Sequence, residues 1–146
     1  MSEQTSSTIV IEATAAAVMS VIADLESYPE WTGSVRSVEV LARDDDGRPT
    51  RATFVLDAGV VKDTYTLQYT WSGAESVSWT LVEAQMLTAM DGSYRLTDHG
   101  EAGTGVEYVL TLDLKMPMIG LLRRKAEKVV TDTALKELKR RVEGAV

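Results

Sequence analysis

Between residues 35 and 114 the sequence alternates apolar and polar side chains strand after strand, and from about 118 to 143 it changes to helical spacing. Alternation with period two means strands with one face covered and one face wet. Strands are expected at about 35–43, 51–58, 61–71, 76–84, 88–97 and 104–114. In the third of these, Tyr65, Leu67, Tyr69 and Trp71 share a face, opposite Thr64, Thr66, Gln68 and Thr70. Val77, Trp79 and Leu81 do the same in the next strand, and Val106, Tyr108, Leu110, Leu112 and Leu114 in the last. Asp44-Asp45-Asp46-Gly47, Ala58-Gly59, Trp71-Ser72-Gly73 and the run His99–Gly105 separate the strands. Such short breaks imply an antiparallel meander. The break at Ala84-Gln85-Met86-Leu87 has no glycine and is the weakest turn signal.

A covering layer is needed for the apolar face of that sheet, and the last segment is the one long candidate. Leu122, Ala126, Val129, Val130, Ala134, Leu138 and Val142 form a stripe at spacings of three and four. Upstream, Thr8–Glu12 reads as a first strand. Thr14 can cap a helix over 15–24, where Val18, Val21, Ile22 and Leu25 recur at helical spacing. Pro29 in Tyr28-Pro29-Glu30-Trp31 ends that helix and suits the start of a shorter second one. The fold class is therefore α+β: a seven-stranded curved antiparallel sheet around a long C-terminal helix, with two short helices between strands 1 and 2. One helix cannot fill a strongly curved sheet, so a cavity between them is expected, and cavities of this kind take ligands.

The 146 residues suit one domain, 1–146. There is no cysteine, and the polar, acidic start Met1–Thr5 lacks the basic and apolar regions of a signal peptide. With no apolar run near membrane-span length, a cytoplasmic protein is expected. A net charge of −7 argues against nucleic acid as partner. Charge is unevenly placed: residues 118–146 carry about +4 and the preceding residues about −11. A basic helix face on an acidic body allows peripheral membrane contact and a monomer or weak homodimer.

Catalytic signatures are sparse. One histidine, His99, sits beside Gly100 in a turn, so zinc or iron ligation and a Ser-His-acid triad are not expected. Asp44-Asp45-Asp46-Gly47 lacks the remaining spacing of a calcium loop and reads as a hairpin turn. Gly103-Thr104-Gly105 precedes a strand, not a helix, and is read as a turn. Asp63 and Glu83 share parity with inward residues and could act as proton donor or base, but near strand ends solvated acids are favoured. Asp91 and Arg95 fall on the outer face as a surface pair. Met116–Leu122, an apolar run followed by Arg123-Arg124-Lys125, could tuck under the sheet edge or form a portal. No metal or cofactor is expected.

The order of elements, with Tyr28-Pro29-Glu30-Trp31 after the first helix, resembles the SRPBCC superfamily. That superfamily includes the START lipid-transfer domains, the plant pathogenesis-related allergens and the polyketide cyclase/dehydrase group. The stretches Phe54–Thr64, Val77–Leu81, Gly92–Leu96 and Pro117–Gly120 are most similar to small single-domain actinobacterial members of the cyclase/dehydrase type. The resemblance implies a helix-grip, START-like fold with an internal ligand cavity. The residues expected to line it are Trp31, Phe54, Leu56, Tyr65, Leu67, Tyr69, Trp79 and Leu81 from the first part of the chain. Tyr94, Tyr108, Leu110, Met118, Leu122, Ala126, Val129 and Val130 complete the set. The expected function is binding or carriage of a small hydrophobic molecule such as a lipid, a quinone or a polyketide-like compound. A polyketide aromatase/cyclase and a protein-interaction module are the alternatives.

Overall fold

A computed structural model describes residues 4–57, 62–115 and 120–144. Strand β1 (Thr5–Ile11) leads into helix α1 (Ala15–Ala23), a single 3-10 turn at Leu25–Ser27 and helix α2 (Tyr28–Trp31). Six strands follow: β2 (Val35–Arg43), β3 (Pro49–Asp57), β4 (Lys62–Ser72), β5 (Ser76–Ala84), β6 (Leu87–Asp98) and β7 (Thr104–Leu114). Helix α3 (Gly120–Gly144) completes the chain. The strands form one seven-stranded antiparallel sheet in the order β1-β7-β6-β5-β4-β3-β2. This is the helix-grip fold expected from the sequence. The N-terminal strand returns beside the last one, so β1 and β2 are the two edges, joined in sequence by α1 and α2.

Local chemistry explains the short elements. The Thr14 hydroxyl accepts the Ala17 N–H at 3.1 Å and starts α1, which buries Val18, Met19 and Ile22. Pro29 stands in the first turn of α2, where its missing N–H costs nothing. The Tyr28 hydroxyl donates to the Ile22 carbonyl at 2.5 Å and ties α2 back to α1. Asp44 closes the β2–β3 hairpin, its Oδ1 accepting from the N–H groups of Asp46 and Arg48, with Gly47 at φ +83°. His99 begins the β6–β7 turn and lies against Gly105, where an added Cβ would come within 2.5 Å of its Nε2. The expected turn at Ala58-Gly59 and the run 116–119 lie outside the described residues.

β1 starts at Thr5, earlier than apolar alternation indicates, because polar residues extend it. Thr5, Ser6 and Ser7 pair with Leu110, Val109 and Tyr108 of β7. Their hydroxyls then meet α3. Thr5 Oγ1 donates to Glu127 Oε1 at 2.7 Å, and Ser7 Oγ meets Thr131 Oγ1 at 2.7 Å and Asp132 Oδ1 at 2.6 Å. The second Glu127 oxygen accepts the Leu112 N–H at 2.7 Å. Leu112 lies two residues past Leu110, where the β1–β7 ladder ends, so the fully buried carboxylate takes the place of a missing strand.

This seam corrects the first part of the expected helix stripe, whose last members, Leu138 and Val142, are buried as expected. α3 packs chiefly against β1 and β7, and the face it buries there carries Glu127, Thr131, Leu135, Leu138 and Val142. Leu122 and Val129 are instead 55% and 58% exposed, and Ala126, Val130 and Ala134 are only half-buried. The two sets are offset by one residue, about 100° around the helix. One face grips the sheet; the other overlooks the space beneath its far half. Replacing Glu127 by Ala leaves the Leu112 N–H without its acceptor. It is expected to lower the unfolding free energy by about 2 kcal/mol. Urea denaturation measures this, and a loss under about 0.5 kcal/mol would show that the seam does not hold α3.

Candidate functional site

Beneath the free face of α3 lies a cavity of about 720 Å³. That volume is in the range of sites for small organic molecules. Trp31, Thr32, Ser34 and Val35 wall it from α2 and the start of β2. The sheet contributes Leu56, Tyr65, Met90, Tyr94, Tyr108, Leu112 and Leu114. Leu122, Lys125, Ala126, Val129, Val130, Thr133, Ala134 and Glu137 come from α3. A second, smaller space of about 60 Å³ lies deeper, among Phe54, Leu67, Tyr69 and Trp79. Val35, Tyr65, Met90, Tyr94 and Tyr108 border both spaces.

The structure thus brings most of the expected residues to one place and divides them by depth. Trp31, Leu56, Tyr65, Tyr94, Tyr108, Leu122, Ala126, Val129 and Val130 line the main cavity, and Phe54, Leu67, Tyr69 and Trp79 form its floor. Leu110 and Leu81 line neither. Leu110 shares the inward parity of Tyr108 but is wholly absorbed by the core. Leu81 lies past Trp79, the last β5 residue paired with β6, and is half-buried against the core. Met118 lies outside the described residues.

Several lining residues escaped sequence reasoning. Leu112, Leu114 and Met90 carried a usable signal, since they share parity with Tyr108 or Tyr94. Thr133 and Glu137 are spaced from Ala126, Val129 and Val130 as one helix face requires, but their polarity hid them. Thr32 and Ser34 come from a connection with no periodicity to read, and Val35 opens β2 at its edge.

Aromatic rings knit the floor to the wall. Phe54 stacks on Tyr65 with centroids 5.4 Å apart. Trp79 meets Tyr94 at 5.5 Å and Tyr108 at 5.7 Å, while Tyr94 and Tyr108 are 4.6 Å apart. Gly92 makes room for this packing: an added Cβ would lie 2.7 Å from both the Trp79 ring and the Val109 carbonyl. Burial pushes the Tyr65, Tyr69, Tyr94 and Tyr108 hydroxyls well above the ordinary phenol range, with neighbouring tyrosines adding to it for all but Tyr108. They therefore remain protonated donors. None of the four hydroxyls has a hydrogen-bond partner among the described residues, unlike that of Tyr28. Trp31 Nε1 and Trp79 Nε1 are likewise buried without a partner among those residues.

The sequence-nominated acids take other roles. Asp63 is buried but caps the β5–β6 turn. Its carboxylate accepts backbone N–H groups from Thr64, Gln85, Met86 and Leu87 at 2.7–3.1 Å. Burial alone would raise its pKa; those N–H donors outweigh it and hold it below the usual range. A turn without glycine closes because an acid on β4 caps it. Glu83 is exposed. The expected Asp91–Arg95 surface pair does not form: Asp91 Oδ1 accepts the Leu81 N–H at 2.9 Å, bridging β5 and β6 just past the end of their ladder. Among the described residues no cluster of three His, Cys, Asp or Glu side chains could hold a metal. No helix among them is long and apolar enough to cross a membrane.

A grip-type fold with such a cavity defines a START-like protein, and comparison with known proteins agrees. Residues 11–139 match the family model described as polyketide cyclase / dehydrase and lipid transport, so the chain belongs to that family. A START superfamily protein from Mycobacterium smegmatis superposes with a TM-score of 0.91 at 22% identity, covering 98% of this chain and 99% of the other. A protein from Thermus thermophilus reaches 0.80 at 26% identity, with 98% and 99% coverage. The ZhuI aromatase/cyclase from Streptomyces sp. R1128 gives 0.74 at 16% identity, covering 97% and 93%. Comparison with curated proteins finds no match.

The depressed pKa of Asp63 has a sign that can be checked. Its stabilisation is fully present above the unfolded value, roughly 3.9, and is lost as pH falls through the lower folded value. Asp63→Asn is expected to unfold about 2 kcal/mol more readily at neutral pH. The gap should narrow below about pH 4. Urea melts across that range measure it; a gap independent of pH is the contrary result.

Proposed function

We propose that this protein binds and carries a small, largely apolar molecule in the cavity beneath α3. The observation that carries the reading is the wall itself: about 720 Å³ enclosed mostly by aliphatic and aromatic side chains. Set into it are Tyr65, Tyr94 and Tyr108, whose hydroxyls have no partner among the described residues. Apolar surface supplies affinity, and a few donors fix orientation. Each such hydroxyl gains a hydrogen bond if the ligand carries an acceptor oxygen. Quinones and polyketide-like ring compounds satisfy this better than a plain hydrocarbon chain. Membership of a cyclase/dehydrase and lipid-transport family is consistent with either carriage or ring closure. Carriage is favoured because Asp63 and Glu83, the acids the sequence offered for proton transfer, do not reach the cavity, and Glu137, the carboxylate among its described lining residues, is engaged by the Gly33 N–H.

The test is uptake of the neutral fluorophore N-phenyl-1-naphthylamine, followed by fluorescence and native mass spectrometry. The native protein should take up one molecule per chain. Ala126→Trp, which pushes an indole into the cavity from α3, should weaken uptake by about tenfold or more, a change of about 1.4 kcal/mol, without lowering thermal stability. No uptake by the native protein, or uptake indifferent to Ala126→Trp, would overturn the reading.

A further inference from the structure

The small space beneath the main cavity has a lining that its size makes specific. Its volume is about 60 Å³, and Tyr28, Tyr65, Tyr69, Tyr94 and Tyr108 all border it. The Tyr28 hydroxyl is bonded within the protein, to the Ile22 carbonyl at 2.5 Å. The other four hydroxyls have no hydrogen-bond partner among the described residues, and none of the four residues is more than 7% exposed. Tyr69 is the decisive case. It borders the inner space and not the main cavity, so no ligand held in the main cavity pairs with it. Apart from the tyrosine hydroxyls and the Trp79 indole, no side chain among the described lining residues of the inner space carries a nitrogen or oxygen. A buried hydroxyl left unpaired costs its full desolvation penalty.

The inner space is too small for an organic ring, but it suits water, which takes ~30 Å³ per molecule in the liquid. The chemistry agrees. Water both donates and accepts, and internal waters typically make about three hydrogen bonds to groups that lack a protein partner. Cavities that stay dry are lined by apolar groups throughout; this one is ringed by hydroxyls. We propose that the inner chamber is a hydration site, with one or two water molecules bound among the hydroxyls of Tyr65, Tyr69, Tyr94 and Tyr108. The chamber fills whether or not an organic molecule occupies the larger space above. A tyrosine oxygen has lone pairs as well as a proton. Water that donates to Tyr65, Tyr94 or Tyr108 from below therefore leaves the O–H free for an acceptor above. The water also limits how deep a ligand reaches. Displacing it with an apolar group, which cannot replace its hydrogen bonds, loses affinity.

Oxygen-17 relaxation dispersion counts waters that stay with a protein far longer than surface hydration does. The native protein should show a dispersion, and Tyr69→Phe, which removes one oxygen and keeps the ring, should lower its amplitude by about half or more, as loss of one of two waters gives. Water in the main cavity does not explain such a fall, because Tyr69 does not border that space. Thermal melting checks that the variant is folded. If it is not, crystals of the native protein decide: a water should lie within about 3.0 Å of Tyr69 Oη. No dispersion in the native protein, an amplitude unchanged in folded Tyr69→Phe, or no water at Tyr69 in crystals that show ordered surface waters would overturn the hydration site. Each leaves the binding reading intact, since uptake of N-phenyl-1-naphthylamine tests that separately.

Discussion

Everything else in the molecule depends on how α3 is fixed to one side of a sheet it cannot cover. The attachment is polar at one end and apolar at the other. Glu127 and Thr131 bond to Thr5, Ser7 and the Leu112 backbone, while Leu135, Leu138 and Val142 are buried in the core. A purely apolar contact would let the helix slide or roll, since the hydrophobic effect is non-directional. Buried hydrogen bonds have geometry, and leaving them unmade costs about as much as a small side chain gains on burial. The seam therefore sets the rotation of the helix, and with it which residues are left facing the cavity.

Once that rotation is fixed, the space under β2 to β6 is filled by side chains of the sheet together with Ile22 and Tyr28 from the helical connection. Aromatic rings do most of it, because each covers a large area with few torsions to restrain. Gly92 lets the Trp79 ring lie against the backbone, and the ring then supports Tyr94 and Tyr108. The floor closes, but the wall above it does not. The result is an apolar chamber whose polar features are donors, apart from the Thr and Ser hydroxyls at its rim and the carboxylate of Glu137. Chemistry in such a chamber is governed by what hydrogen-bond complement a ligand brings, since water competes poorly for groups held in low dielectric.

Strand alternation and helical spacing made the fold legible. Both are one-dimensional signals that burial on one face writes directly into the sequence. The inward tyrosines of β4, β6 and β7 could be placed by parity for the same reason. Parity failed to say how deep a residue lies: Leu110 and Tyr108 are inward neighbours, yet the core absorbs the first and the cavity meets the second. Polar residues misled in a consistent way. Thr5 and Ser7 concealed strand, Glu127 and Thr131 concealed a packing face, and Asp63 looked like a catalytic candidate while capping a distant turn.

The sequence by itself determined the fold class, the element order, the single long helix and the family resemblance, because each rests on local periodicity and turn chemistry. Only the tertiary structure decided which face of α3 grips and which looks into the cavity. Two stripes one residue apart are both plausible on a helical wheel, and the choice is made by partners more than a hundred residues away in the chain. For the same reason it decided that Glu137, and neither Asp63 nor Glu83, is the acid on the cavity wall. A side chain's surroundings are set by long-range packing, which no local pattern encodes.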